Sequence, residues 1–265
     1  MKSWKHHAIL SPAVTPESLS RRQVTRLDRH KGGRHYQVAG EAEAYPSVTT
    51  VLNVINKPAL IPWAKNMTLD AVREALAPRI GKRPLLTQEW VDEMVSDAKD
   101  RSNMIKDTAA DFGTTAHGYI EDILKGRDVK VPPDFETVVE NFLAWQNESR
   151  LNVTFSEVMV YSIQHQFAGS MDAVATRRGK LVALDWKTSS GLYREMDLQV
   201  AAYAHALSEM TDQPVDEAWV VRFGKKEAEF ECRQVRDLAV CFEGFKGAMG
   251  LWRALKADPS PRWRK

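Results

Sequence analysis

The apolar run Leu181-Val182-Ala183-Leu184 ends in Asp185-Trp186-Lys187, and this change of character is where the sequence first suggests chemistry. Side chains on a strand alternate between faces, so Asp185 and Lys187 share one surface while Trp186 takes the other. Charges at the end of an apolar strand are costly unless they are paired or hold a metal. Alone, the triplet reads first as a structural Asp–Lys ion pair. Gly169-Ser170-Met171-Asp172, on the strand before it, places a second carboxylate where it can lie beside Asp185 across a hairpin. Adjacent carboxylates repel unless a cation sits between them. Mg²⁺ accepts one or two carboxylates together with waters and phosphate oxygens, and the Trp186 carbonyl offers a further oxygen. Such an ion polarises a phosphate ester and acidifies water, and Lys187 can orient that water and offset the developing charge.

Two helical pairs extend the set. Gln199 and Tyr203 follow the strand on one helix face, and His117 and Glu121 do the same on an earlier helix. By themselves Gln199 and Tyr203 suit ordinary helix packing as well as function, and a lone histidine is more often a core residue than a ligand.

The elements that must hold these residues are legible in outline. Residues 24–38 read as an N-terminal β-hairpin turning at Gly32-Gly33. A short helix capped by Ser47 or Thr49 stops before Lys57-Pro58, and a second carries Trp63. Helical spacing runs from Thr87 to Leu124 with a break expected near Gly113, and another helix, capped by Asp134, reaches about Arg150. Strands follow at 153–163, 167–176 and 181–186, the last two joined through Arg178-Gly179. A helix over 194–210, strands at 215–223 and 227–233, and a helix over 237–255 complete the pattern. The class is α/β (α+β). We divide the chain into an extension (1–45), a main domain (46–257, helical over 46–150 and sheet-based over 151–257) and a basic tail (258–265).

Composition sets the limits. Hydrophobic residues at 43% suffice for one sizeable core. The net charge of +2 does not by itself mark a nucleic-acid binder, so any phosphate-binding surface must come from local clustering. The densest cluster is the hairpin, where Arg29, Lys31 and Arg34 either track a phosphate backbone or form an ordinary solvated face. Tyr36, Trp63 and Tyr193 suit base stacking and packing alike. Cys232 and Cys241 are too few for a thiolate cluster and are expected as buried, reduced core residues. Without an apolar run of membrane length or a signal-peptide core, a soluble, cytoplasmic protein without membrane contact is expected, in the host cytoplasm if a phage encodes it.

In order and spacing, Gly113-Thr-Thr-Ala-His117-Gly-Tyr-Ile-Glu121, Gly169-x-x-Asp172, Asp185-Trp186-Lys187-Thr188-Ser189 and Gln199-x-x-x-Tyr203 resemble the RecB-type branch of the PD-(D/E)XK nuclease superfamily. Pro46–Leu52, Lys57-Pro58 and Trp63 add a similarity to phage-type exonucleases and mitochondrial genome maintenance exonuclease-like proteins, so the resemblance covers roughly residues 45–205. It implies a restriction-endonuclease-like core: a central mixed β-sheet flanked by helices, with the hairpin and a helical insertion added. It also implies that Asp172 and Asp185 bind metal, that Lys187 is catalytic and that His117 completes or supports the metal site. Gln199 and Tyr203 would position substrate or the active-site strand, and Thr188 and Ser189 would contact phosphate. Met171 stands where the superfamily's name has proline, and Asp185 where many relatives have glutamate; both variants occur in this branch. The implied activity is a metal-dependent DNA exonuclease acting on single-stranded or free ends in recombination, repair or phage replication, with a recombinase or single-strand-binding protein as the partner such work calls for. The alternatives are a structure-specific endonuclease and a catalytically weak end-binding subunit. Mg²⁺ is the expected ion by availability, the His117 imidazole favours activity with Mn²⁺ as well, and two cysteines exclude the branch's iron–sulfur cluster.

Overall fold

The computed structural model describes residues 14–30, 32–82, 86–226 and 229–257, with backbone only at Arg29 and His30. Lys31 and the 258–265 tail lie outside the described residues, as does the start of the strand expected from 227.

In chain order the elements are α1 (Pro16–Leu19), β1 (Val24–His30), β2 (Gly33–Val38), β3 (Tyr45–Pro46), α2 (Val48–Leu52), α3 (Leu60–Leu76), α4 (Gln88–Leu124) and α5 (Pro133–Ser149). Then come β4 (Asn152–Ser162), β5 (Phe167–Arg177), β6 (Lys180–Lys187), α6 (Arg194–Thr211), β7 (Glu217–Phe223), β8 (Phe230–Gln234) and α7 (Leu238–Lys256). Contacts divide the chain into Met1–Ile55 with Ala116–Lys265, and Asn56–Thr115.

The larger unit is built on a mixed sheet of order β4-β5-β6-β7-β8. β4, β5 and β6 form an antiparallel meander, and β5 turns into β6 through Arg178 and Gly179, both at positive φ. This is the backbone that a two-residue hairpin requires. β6 and β7 are parallel and joined across α6, while β8 returns antiparallel to β7. Against one face lies α6, whose Ala201, Ala202, Ala204 and Ala206 are all buried and let the helix approach the strands closely. Trp186 takes the opposite face, packed in a buried aromatic group with Phe142 and Trp145 of α5 and Phe223 of β7. The face assignments read from the 185–187 alternation therefore hold.

The expected hairpin is part of a three-stranded sheet, because β3 pairs with β2. Gly32 has the positive φ its turn requires. Ser47 caps α2 by accepting the Thr50 N–H at 2.9 Å.

Other expectations are corrected. α4 runs without a break through Gly113. A single helical glycine costs only about 1 kcal/mol, which a helix of 37 residues tolerates. Asp134 lies inside the first turn of α5 and is not its cap, because Pro133 already occupies the first helical position that proline favours. Cys232 is exposed and Cys241 only partly buried. The reason for Cys232 is that β8 is an edge strand, so its outward positions face solvent.

The smaller unit contains α3, a single 3₁₀ turn over Ala77–Arg79 and most of α4. Its helices are tied by the Arg79 guanidinium lying 3.9 Å from the Trp90 ring centre and by an Arg101–Glu74 ion pair at 3.2 Å. No described helix is long and apolar enough to cross a membrane.

Candidate active site and metal centre

Four elements of the larger unit bring the predicted residues together: α4 supplies His117, β5 supplies Asp172, β6 supplies Asp185 and Lys187, and α6 supplies Gln199 and Tyr203. The β5–β6 ladder ends at the pair Ala173↔Leu184, so the next opposing positions are Asp172 and Asp185. At that point a side chain replaces the ladder bond: Asp172 Oδ2 accepts the Trp186 N–H at 2.6 Å. Its other oxygen faces His117 Nδ1 at 3.2 Å. Asp185 pairs with the Lys187 ammonium and accepts the Gln199 amide N–H at 3.1 Å, and the same amide nitrogen donates to the Tyr203 hydroxyl at 3.1 Å.

The electrostatics follow from burial and crowding. Burial pushes the Asp185 carboxyl up, Lys187 opposes and Asp172 adds to the rise, leaving it at about 6. Burial acts on Asp172 in the same direction, yet His117, Lys187 and the Trp186 N–H outweigh it and hold the group below the usual carboxylate range. The Asp172 charge in turn raises His117 despite its burial. Tyr203, buried beside Asp185, keeps its proton far above the usual tyrosine range.

Sequence reasoning missed Glu157. It lies on β4 opposite Asp172, and its carboxylate, the Asp172 carboxylate and a His117 ring nitrogen all fall within 4.8 Å of one another. Glu157 is in the left-handed region at φ 53°. Core membership changes parity across this point: Val158, Val160 and Met171 on one side, and Phe155 and Val174 on the other, all join one core. Alternation along β4 is thus disturbed around Glu157, just after the register shift between Val153 and Phe155. The available signal was a lone acid, Ser156-Glu157-Val158, inside an otherwise uncharged strand.

Arg233 was also missed. From β8 it donates to Asp197 at 2.9 Å and to the Tyr193 carbonyl at 2.7 Å, pinning the segment between Lys187 and α6. In that segment Ser189 donates to the Gly191 carbonyl at 2.8 Å, and Thr188 is half-buried. Arg34 is not among the carboxylates of the site; it pairs with Asp28 at 3.4 Å, an acid that also holds Arg26 at 2.6 Å. The Arg29 side chain and Lys31 lie outside the described residues. Glu121 pairs with Lys125.

Gly169 explains the place of Tyr203. A Cβ at this glycine would sit 2.5 Å from Tyr203 Cε1, so the ring lies directly on the β5 backbone. Gly169→Ala is expected to push Tyr203 away, loosen Gln199 from Asp185 and destabilise the fold by about 1–3 kcal/mol. Thermal unfolding and turnover of the variant check this, and an unchanged melting temperature would show that the contact has slack.

The donor set suits a divalent ion. Glu157, Asp172 and His117 bring ligand atoms within 4.8 Å of one another, the Asp185–Lys187 pair follows Asp172 across the strands, and an oxygen-rich set with one imidazole is chemistry that such ions accept. The sequence model of the PD-(D/E)XK nuclease superfamily matches residues 86–263, well over half the chain. The chain belongs to this superfamily. PD-(D/E)XK nucleases work with divalent metals, and the His117–Asp172 region provides the carboxylate and imidazole groups for one. No curated protein matches the chain significantly. Among solved structures, the alkaline exonuclease LHK-Exo from Laribacter hongkongensis is similar over 80% of this chain and 87% of its own, at 10% identity and a TM-score of 0.40. The protein SSO0001 is similar over 74% and 88%, at 13% identity and a TM-score of 0.31.

Proposed function

We propose that this PD-(D/E)XK nuclease is a divalent-metal-dependent DNA exonuclease acting at single-stranded ends. The observation that carries the reading is the opposition of half-buried Asp172 and buried Asp185 at the point where the β5–β6 ladder ends, with Lys187 on the same face as Asp185. Asp172, Asp185, His117 and the Trp186 carbonyl would hold Mg²⁺ or Mn²⁺, which supplies polarisation of the phosphate and a more acidic water. Lys187 orients the nucleophile and offsets charge on the phosphate as it builds up. Gln199 keeps the Asp185 carboxylate turned toward the site, and Tyr203 anchors Gln199. Thr188 and Ser189, directly after Lys187, contact the phosphate backbone of the substrate.

The test is digestion of end-labelled linear and circular single-stranded DNA with Mg²⁺ or Mn²⁺. Linear DNA is expected to shorten from an end while circles persist. Cleavage of circles would instead assign an endonuclease, and the absence of metal-dependent cleavage of either would overturn the reading.

Metal binding needs Asp185 ionised. Because its carboxyl is raised to about 6, the protonated form grows as pH falls through that value. Apparent Mg²⁺ affinity is therefore expected to fall as pH drops through about 6, the more steeply because His117, itself raised above the usual histidine value, must also give up its proton to bind. Mg²⁺ titrations between pH 5 and 8 measure it, and an affinity constant down to pH 5 would remove Asp185 from the metal's ligands.

A further inference from the structure

We infer that Glu157 is a metal ligand, so that His117, Glu157 and Asp172 form a three-donor seat for a divalent transition ion; this rests on the metal-dependent reading of the site. The three donor atoms come from three separate elements, α4, β4 and β5, and lie within 4.8 Å of one another. Opposite vertices of an octahedron with bonds of about 2.1 Å are about 4.2 Å apart, so small side-chain adjustments suffice to place all three around one ion. The 3.2 Å separation of His117 Nδ1 and Asp172 Oδ1 already matches adjacent vertices, about 3.0 Å apart at the same bond length.

The surroundings of Glu157 point the same way. Its described hydrogen bond is from the neutral Ser170 hydroxyl at 3.0 Å, and among the described residues no lysine or arginine forms an ion pair with it. A carboxylate set beside the Asp172 carboxylate without a cation of its own is a place where a cation gains from both. Independently, Asp185 is 2% exposed, opposite Asp172, and paired with the Lys187 ammonium. One lysine and one histidine thus face three carboxylates. Glu157 itself is exposed, so the seat opens to solvent and leaves ligand positions for water and phosphate. The imidazole directs the preference toward Mn²⁺ over Mg²⁺.

Manganese binding to the full-length protein tests this without any substrate. Free Mn²⁺ is counted by its electron paramagnetic resonance signal during titration of MnCl₂ into wild type, Glu157→Gln, His117→Gln and Asp185→Asn, with DNA cleavage measured in parallel. Glu157→Gln keeps an acceptor for Ser170, and circular dichroism verifies its fold. It is expected to weaken Mn²⁺ binding about tenfold or more, as His117→Gln does. Glu157→Gln binding Mn²⁺ as tightly as a cleaving wild type would overturn the assignment of Glu157 and leave the nuclease reading intact. A wild type that neither binds Mn²⁺ nor cleaves DNA would overturn both.

Discussion

Replacing Lys187 with alanine is expected to slow DNA hydrolysis by about a thousandfold. Two effects combine. The first is loss of the cation that meets charge developing on the phosphate, where a single preorganised donor contributes a hundred- to thousandfold. The second arises within the protein: Lys187 opposes the burial that raises Asp185, so without it that carboxyl rises beyond about 6 and binds metal less well. Single-turnover rates at several metal concentrations separate them. Loss through weaker metal binding is recovered at high Mn²⁺, whereas loss of transition-state stabilisation persists at saturation. Lys187→Arg should recover little, because a planar fork cannot reproduce the compact ammonium between Asp185 and the substrate. A Lys187→Ala enzyme within tenfold of wild type at saturating metal would falsify the assignment.

Trp145→Ala is expected to produce the largest loss of stability, about 3–5 kcal/mol. The Trp145 ring is 1% exposed and lies 5.1 Å from Trp186 and 5.8 Å from Phe223, edge to face. Its removal opens a cavity directly behind the strand that carries Asp185 and Lys187. Activity should therefore fall even at temperatures where the variant stays folded, because Trp186 loses the partner that fixes the strand end. Denaturant unfolding gives the first quantity and kcat at low temperature the second. A variant that loses stability but keeps full kcat would show that the Asp172–Trp186 hydrogen bond and the pairing with β7 fix the strand end without Trp145.

The sequence was most readable where local periodicity was undisturbed. Asp185, Trp186 and Lys187 could be assigned to faces because β6 alternates regularly, and the strand, helix, strand order expected over 181–223 is the order found. Legibility failed where a distant contact decides the outcome. Gly169 stood out as a glycine, but its reason, the Tyr203 ring, comes from another element. Arg34 suggested part of a basic track, whereas Asp28 holds both it and the neighbouring Arg26, and Arg21 and Arg22 are matched by Asp212 and Glu41. Glu157 escaped because the period-two rule stops at its left-handed backbone. Gly113 misled because a residue's intrinsic helix preference is small beside the cooperativity of a long helix.

The hydrogen bond from the Trp186 amide to Asp172 has a spectroscopic consequence. A backbone amide proton held by a carboxylate oxygen senses any change in that carboxylate's charge. The ¹H–¹⁵N resonance of Trp186 should therefore shift when a diamagnetic ion such as Mg²⁺ reaches Asp172, and its hydrogen exchange should slow. A residue whose side chain is sealed among aromatic rings thus becomes an internal gauge of occupancy on the opposite face of the sheet, readable with no nucleic acid present.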